Sequence, residues 1–206
     1  MADDRPTIFV VDDDEALRKS IGYLVESIGL NSASFASAQD FLDKASPDTP
    51  GCVLLDVRMP GMSGLDLLEQ LAERGFIAPV IVITGHADVP MAVRALKAGA
   101  MEFIEKPFND QTLLDTVQRA IEADDEKRRL LGDRRKILER LETLTPRERE
   151  VMELVVSGNA NKEAAARLGL SEKTIEVHRS RVMKKMRATN AADLIRMVLE
   201  ARAATG

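Results

Sequence analysis

The sequence predicts an α/β doubly wound parallel sheet of five strands, followed by a small all-α domain built around a helix-turn-helix. Three observations predict it. Short apolar runs alternate with helix-period stretches up to about residue 124, the pattern of βαβ units. Strand patterns then vanish, and after Thr145 only short helical segments with clear start and stop signals remain. Charge divides at the same place. Up to Asp125, 22 acidic residues stand against ten basic ones (net −12), and from Glu126 onward 12 stand against 19 (net +7), giving the total of −5. An acidic half and a basic half suggest two tasks, the basic one near a polyanion.

Taken in chain order, Ile8–Val11, Cys52–Leu55 and Val80–Ile83 are continuous apolar runs, as parallel strands covered on both faces require. Ser32–Phe35 and Glu102–Ile104 are weaker strand patterns. Leu17, Ile21, Leu24, Val25 and Ile28 recur at helical spacing, as do Leu65, Leu68 and Leu71, and later Leu113, Leu114, Val117 and Ile121. Residues 5–124 therefore read as one domain. The stretch 125–141 is dense in charge around Leu130 and Leu131 and reads as a helical linker, with Gly132 its only breaker.

Residues 142–206 read as the helical domain. Thr145 and Glu148 form a capping box with Pro146 at the first helical position. Gly158 and Asn159 end that helix, and a short one follows from about Lys162 to Leu168, stopped by Gly169. Ser171 caps a third helix from Glu172 to about Met186, and Asn190 caps a fourth with an apolar stripe of Leu194, Ile195, Val198 and Leu199.

Several classes are disfavoured. No apolar run approaches the ~20 residues of a membrane span, and the start, Met1-Ala2-Asp3-Asp4-Arg5-Pro6, is too polar for a secretory leader. Cys52 is a single cysteine without metal-ligand spacing around it, expected as a buried strand residue. A reducing cytoplasm is the expected compartment.

The chemistry of the first domain lies at the ends of its strands, where open α/β sheets bind ligands. The first strand ends in Asp12-Asp13-Asp14, the third in Asp56 and the fourth in Thr84, and the fifth is followed by Lys106-Pro107. Converging carboxylates repel one another unless a cation joins them. Mg²⁺ suits oxygen ligands and leaves room for phosphate. Asp56 is then the nucleophile for phosphoryl transfer, with Asp12, Asp13, Asp56 and the backbone carbonyl of Arg58 as metal ligands. Lys106 and Thr84 are left to meet the phosphoryl oxygens. Asp14 is read instead as a helix cap.

The segments Val10-Val11-Asp12-Asp13-Asp14, Leu55-Asp56-Val57-Arg58-Met59-Pro60-Gly61, Ile83-Thr84-Gly85-His86 and Glu105-Lys106-Pro107 resemble the receiver domain of two-component response regulators. The resemblance implies a CheY-like sheet of order 2-1-3-4-5 and Asp56 as acceptor from a sensor histidine kinase. It also implies a cis bond before Pro107 and a switch in which Thr84 moves onto the phosphate while a fifth-strand aromatic turns inward. That aromatic matches Phe103, where many relatives carry Tyr or His; a core role and a switch role both stay open for it.

In the basic half, a short helix, a Gly-containing turn and a longer helix fit a helix-turn-helix. Ile175, Val182 and Met186 share the core face of the longer helix. Lys173, Thr174, Glu176, Val177, Ser180, Arg181 and Lys184 surround the rest, a mixture of cations and base-readable groups suited to the major groove of double-stranded DNA. Residues 144–151, 161–164 and 170–179 resemble the LuxR-type DNA-binding domain, and the two halves together resemble the NarL/FixJ response regulators.

That resemblance implies a recognition helix at Glu172–Lys185 and a last helix able to dimerise. It places Glu176, Val177 and Ser180 at base-contact positions, where relatives often carry Lys in place of Glu176 and Ser180. Glu176 has two readings, acceptance from cytosine N4 and an intramolecular ion pair. Lys162, Lys173, Arg179, Arg181 and Lys184 are phosphate-contact candidates. His178 is a packing or phosphate-contact residue rather than a metal ligand.

The expected function is a transcription regulator in which phosphorylation at Asp56 pairs two receivers as a homodimer, promotes operator binding and engages RNA polymerase. It is not expected to be an enzyme beyond its own phosphorylation and dephosphorylation. Three other readings are a Mg²⁺-dependent phosphohydrolase, a receiver joined to a protein-interaction module, and a receiver working without phosphate. The phosphohydrolase usually needs a second Asp where this chain has Arg58.

Overall fold

A computed structural model describes residues 5–85 and 88–203. His86, the last residue of one receiver-like segment, lies outside them. The chain divides into two compact units, Met1–Arg128 and Arg129–Gly206.

The first unit is the expected parallel sheet. Strands β1 (Thr7–Val11), β2 (Asn31–Phe35), β3 (Gly51–Asp56), β4 (Val80–Thr84) and β5 (Glu102–Glu105) stand in the order β2-β1-β3-β4-β5, every neighbouring pair parallel. Helices α1 (Glu15–Ser27), α2 (Ala38–Lys44), α3 (Gly64–Glu73), α4 (Val89–Lys97) and the first part of α5 (Asp110–Glu142) connect and cover it.

The twofold period of the strands sorts their side chains into two cores. Phe9, Val11, Val53, Leu55, Val80 and Val82 join Phe41 of α2, Leu67 of α3 and Ala95 of α4 on one face. Ile8, Val10, Cys52, Leu54, Ile81 and Ile83 join Ile21 and Val25 of α1 and Leu113 and Val117 of α5 on the other. Phe41 is fully buried and meets Phe9 and Phe35 edge-on at 5.7 and 5.2 Å. Burial pushes the Cys52 thiol up to about 12, with the Asp124 charge adding to it, so this cysteine is a core residue and not a nucleophile.

Two glycines set strand positions by steric need. Gly51 has φ +142, and a Cβ there would lie 1.8 Å from the Thr7 carbonyl oxygen. Gly64, at the start of α3, approaches β3 so closely that a Cβ would lie 2.0 Å from the carbonyl oxygen of Asp56.

At the opposite ends of the strands, the buried carboxylate of Asp124 accepts from Gly51 N (2.9 Å) and Arg128 Nε (2.7 Å). Arg128 also donates to the carbonyls of Asp48 and Thr49, both at 2.9 Å. This fixes α5 against the α2–β3 loop.

The second unit holds the rest of α5 with α6 (Pro146–Val156), α7 (Asn161–Leu168), α8 (Glu172–Met186) and α9 (Ala191–Arg202). Its core joins Val151 and Val155 of α6, Ala164 of α7, Ile175, Val182 and Met186 of α8, and Leu194 and Val198 of α9. Ile137 of α5 is buried in the same core. The stretch 125–141, expected as a linker, is thus shared between the units: Arg128 belongs to the first and Ile137 to the second. Gly132 does not break the helix.

The capping box of Thr145 and Glu148 is present, and Ser171 and Asn190 cap α8 and α9 as their residue types predict. Glu148 is buried and also accepts from Lys185 Nζ at 2.6 Å, tying the start of α6 to the end of α8. The Lys185 ammonium and the Thr145 amide hold the Glu148 carboxyl down at about 2.

Candidate functional site

Of the residues singled out at the strand ends, Asp12, Asp56 and Lys106 meet. Asp12 follows β1, Asp56 ends β3 and Thr84 ends β4, and all three are buried, with 4, 6 and 1% of their surface exposed. Lys106 follows β5, and its backbone N–H donates to the Thr84 carbonyl at 2.8 Å, continuing the β4–β5 ladder by one residue. That bond aims the lysine across the sheet. Its Nζ lies 2.7 Å from Asp12 Oδ2 and 2.6 Å from Asp56 Oδ1, a single cation between two carboxylates. The peptide bond from Lys106 to Pro107 is cis.

The remaining oxygens are also engaged. Asp56 Oδ2 accepts from the backbone N–H of Arg58 at 2.5 Å, and Asp12 Oδ1 from that of Asp14 at 2.9 Å. Arg18 donates to the Asp12 carbonyl at 2.7 Å. Burial raises the Asp56 carboxyl above its ordinary value, the Asp12 charge adds to this, and Lys106 offsets it in part. Burial opposes the charge on Lys106, but its bonds to Asp12 and Asp56 carry it above the ordinary lysine value. Asp56 is thus a poorly solvated carboxylate oriented by one ammonium and one amide. Such an oxygen is exposed to an incoming electrophile without a large hydration shell to shed.

Asp13 is exposed on the same loop, outside this buried pair. Asp14 caps α1, accepting from Ala16 N and Leu17 N at 2.9 and 3.2 Å. Arg58 is brought to Asp56 through its amide. Phe103 is half-buried and packs against the core that contains Phe9 and Val82. Among the described residues no three carboxylates, imidazoles or thiols gather into a metal cage. Two buried carboxylates sharing one small cation still fit Mg²⁺, which is held by one or two protein carboxylates and keeps the rest of its shell for water and phosphate oxygens.

Sequence reasoning missed two positioning residues here. Gly64 lets α3 approach Asp56, and Arg18 holds the Asp12 backbone. The Ser63-Gly64 pair ahead of an apolar helix is the only sequence signal of the first.

In the second unit, Lys173, Glu176, Val177, Ser180, Arg181 and Lys184 are exposed along α8, and Val177 keeps 45% of its surface exposed. Lys162 is exposed at the start of α7. Glu176 makes no ion pair among the described residues, which removes one of its two readings. Thr174 is turned into the helix cap, its hydroxyl 2.7 Å from that of Ser171. Arg179 donates to Asn161 Oδ1 at 3.0 Å and so braces α7 against α8 rather than standing open to solvent. His178 is half-buried, its Nδ1 enclosed and without a hydrogen-bond partner among the described residues. No described helix is long and apolar enough to cross a membrane.

A doubly wound sheet with a buried Asp–Lys–Asp pocket, joined to a helix-turn-helix, defines a response regulator with a DNA-binding output. Comparison with known proteins agrees. The family model described as "Response regulator receiver domain" matches residues 8–118, and that described as "Bacterial regulatory proteins, luxR family" matches residues 142–198. The chain is 48% identical over 196 residues to Nodulation protein W of Bradyrhizobium diazoefficiens, covering 95% of this chain and 86% of that protein. It is 46% identical to the transcriptional regulatory protein FixJ of Azorhizobium caulinodans, covering 93% of this chain and 91% of that one. The solved response regulator StyR matches with a TM-score of 0.85 at 41% identity, over 94% of this chain and 98% of that chain. The chain belongs to the NarL/FixJ family of response regulators. It is a two-component transcription regulator, dependent on phosphorylation, with a LuxR-type helix-turn-helix. Regulators of this kind work with sensor kinases and DNA.

Proposed function

We propose that Asp56 accepts a phosphoryl group from the phosphohistidine of a sensor histidine kinase and that this pairs two receivers and promotes operator binding. The observation that carries the proposal is the single Lys106 ammonium bridging the buried carboxylates of Asp12 and Asp56. An Asp56 oxygen forms the new O–P bond as the P–N bond breaks; the departing imidazole nitrogen keeps the electron pair and takes up a proton. Lys106 turns from the carboxylate to a phosphoryl oxygen, and the Thr84 hydroxyl donates to another. Water later attacks the phosphorus of the acyl phosphate, which releases inorganic phosphate and restores the carboxylate.

Asp12, Asp13, Asp56 and the Arg58 carbonyl would hold Mg²⁺. The ion supplies neutralisation of charge on the transferring phosphoryl group. Movement of Thr84 frees space behind it for Phe103, which is half-buried beside β4 and so positioned to turn inward.

The surface for pairing is supported by α4, which buries only Ala95 and exposes Val89, Val93 and Leu96 at 77, 45 and 51%. Those three recur at i, i+4 and i+7, one apolar stripe facing solvent. A homodimer then presents two α8 helices to a two-fold operator in double-stranded DNA, linking two weak half-site contacts. Lys162, Lys173, Arg181 and Lys184 meet phosphates, while Glu176, Val177 and Ser180 face the bases. Thr174, His178 and Arg179 hold the helix in place beside them. Bound on a promoter in the cytoplasm, the regulator engages RNA polymerase.

Acetyl phosphate with Mg²⁺ is expected to add one phosphoryl mass to the protein, shift it from monomer to dimer and raise its affinity for duplex DNA. Unchanged DNA affinity on full phosphorylation would overturn the switch.

A further inference from the structure

We infer that a cationic notch at the C-terminal end of α8 is a docking site for a backbone phosphate of DNA, separate from the exposed face of that helix. The inference rests on the DNA-binding reading of α8 and adds a contact outside it. The notch, about 350 Å³, lies wholly within the second unit and is lined by Lys136, Glu139, Arg140, Thr143, Lys185 and Arg187.

The charges within it are unequal in freedom. Lys185 is matched by Glu148 at 2.6 Å, Lys136 by Asp133 at 3.0 Å, and Glu139 by Arg135 at 3.7 Å. Arg140 donates to the Met186 carbonyl at 3.2 Å, and neither it nor Arg187 has a carboxylate within ion-pair distance among the described residues. Both guanidinium groups therefore lack a carboxylate in contact, with only the more distant Asp133 charge acting on Arg140, and a guanidinium fork matches a phosphate's oxygens.

The backbone of Arg187 gives an independent reason. It is the described non-glycine residue with positive φ (56°), the left-handed conformation that ends helices. Glycine takes that position without strain and arginine does not. The sequence keeps an arginine where the backbone alone favours glycine.

Placement selects DNA as the occupant. Helix α8 has 15 residues and is about 22 Å long. With Val177 and Ser180 at the base edges, Arg187 lies seven residues further on, about 10 Å along the axis, past the N-terminal part of a recognition helix that meets the bases before the groove curves away. The C-terminal end thus overruns the bases and meets the sugar–phosphate wall. The exposed Arg181 and Lys184 lead from the reading face to the notch.

The test compares full-length phosphorylated wild type with Arg187→Gly on a labelled mixed-sequence duplex, following the affinity across a salt series. The variant keeps the left-handed turn, so its melting temperature should hold or rise. Its log K against log salt slope should fall by about 0.9, and its affinity by about fivefold at 0.15 M salt, the loss of one released counterion. Arg187→Lys should recover the slope. An unchanged slope in Arg187→Gly, alongside a reduced slope in Lys184→Ala, would remove the notch and leave the DNA-binding reading intact. Salt-independent binding by the wild type would remove that reading and the notch with it. Inorganic pyrophosphate titrated into the protein should not saturate; saturation that Arg187→Gly abolishes would assign the notch to a free anion instead.

Discussion

The two units place their functional groups in opposite environments. In the first, Asp12, Asp56 and Thr84 are buried at strand ends, and each is oriented by its neighbours. In the second, Lys173, Glu176, Val177, Ser180 and Lys184 stand exposed on one helix, and the packing beneath them fixes the helix rather than the side chains. A buried site tolerates little change because every charge needs a partner. An exposed reading face can change residue by residue without cost to the fold. Variants should therefore behave differently in the two units, by loss of chemistry in the first and by altered preference in the second.

The largest effect is expected at Asp56. In Asp56→Asn the carboxylate nucleophile is gone, so acetyl phosphate with Mg²⁺ should add no phosphoryl mass and produce no dimer, while basal DNA binding persists. Phosphorylation of that variant at the wild-type rate would show that the buried site lies elsewhere. Gly64→Ala tests the same environment without touching a charge. Its Cβ would sit 2.0 Å from the Asp56 carbonyl oxygen, so β3 or α3 must shift. A cost of about 1–3 kcal/mol is expected from overpacking, with slower phosphorylation of whatever remains folded, measured by urea melts and mass spectrometry. Wild-type values in both would mean that the strand end carries no such constraint.

Legibility from sequence follows the same division. Strands β3 and β4 are buried throughout, so their apolar runs are continuous and the Asp or Thr that ends each stands out. Helix α2 has only seven residues, with Ala38 and Phe41 buried, too short for a clear period, and the apolar stripe of α4 (Val89, Val93 and Leu96) faces solvent, so it marks no core face. The second half of α5 is dominated by charge, which hides the spacing of Ile137 and Leu141 that carries it into the second core. Gly64 is signalled only by the Ser63-Gly64 pair, because its role is the absence of a side chain. On α8 the helix and its caps are legible, but partners such as Asn161 for Arg179 depend on how α7 crosses it.

Glu148 sharpens the comparison, because it is a buried charge in the unit whose function is exposed. Its carboxyl is held at about 2 against an ordinary 4.5, chiefly by Lys185. A lowered acid value stabilises the folded state fully above pH 4.5, and the contribution disappears as pH falls through about 2. Glu148→Gln leaves the partly exposed Lys185 without its carboxylate and should cost about 1.5–3 kcal/mol at pH 7, the range of a hydrogen bond to a charged group. The gap from wild type should narrow between pH 4.5 and 2, read by hydrogen exchange of α6 and α8 amides. A gap that stays constant over that range would show that the ion pair contributes nothing and that packing alone holds α6 to α8.

The smallest effect on stability, and the clearest contrast with Asp56, is expected at Glu176. It is exposed and makes no ion pair among the described residues, so Glu176→Gln should leave stability within about 0.5 kcal/mol of wild type. A carboxylate only accepts hydrogen bonds, and cytosine N4 offers a donor in the major groove. Glutamine both accepts and donates and pairs with adenine N6 and N7. Selection of bound duplexes from a random pool should therefore move one position of each half-site from cytosine toward adenine, by about 1–3 kcal/mol of discrimination. The variant also removes a negative charge near the phosphates, so non-specific affinity should rise while selectivity changes. If affinity rises with the base preference unmoved, Glu176 acts on the backbone alone, and the reading of bases narrows to Val177 and Ser180.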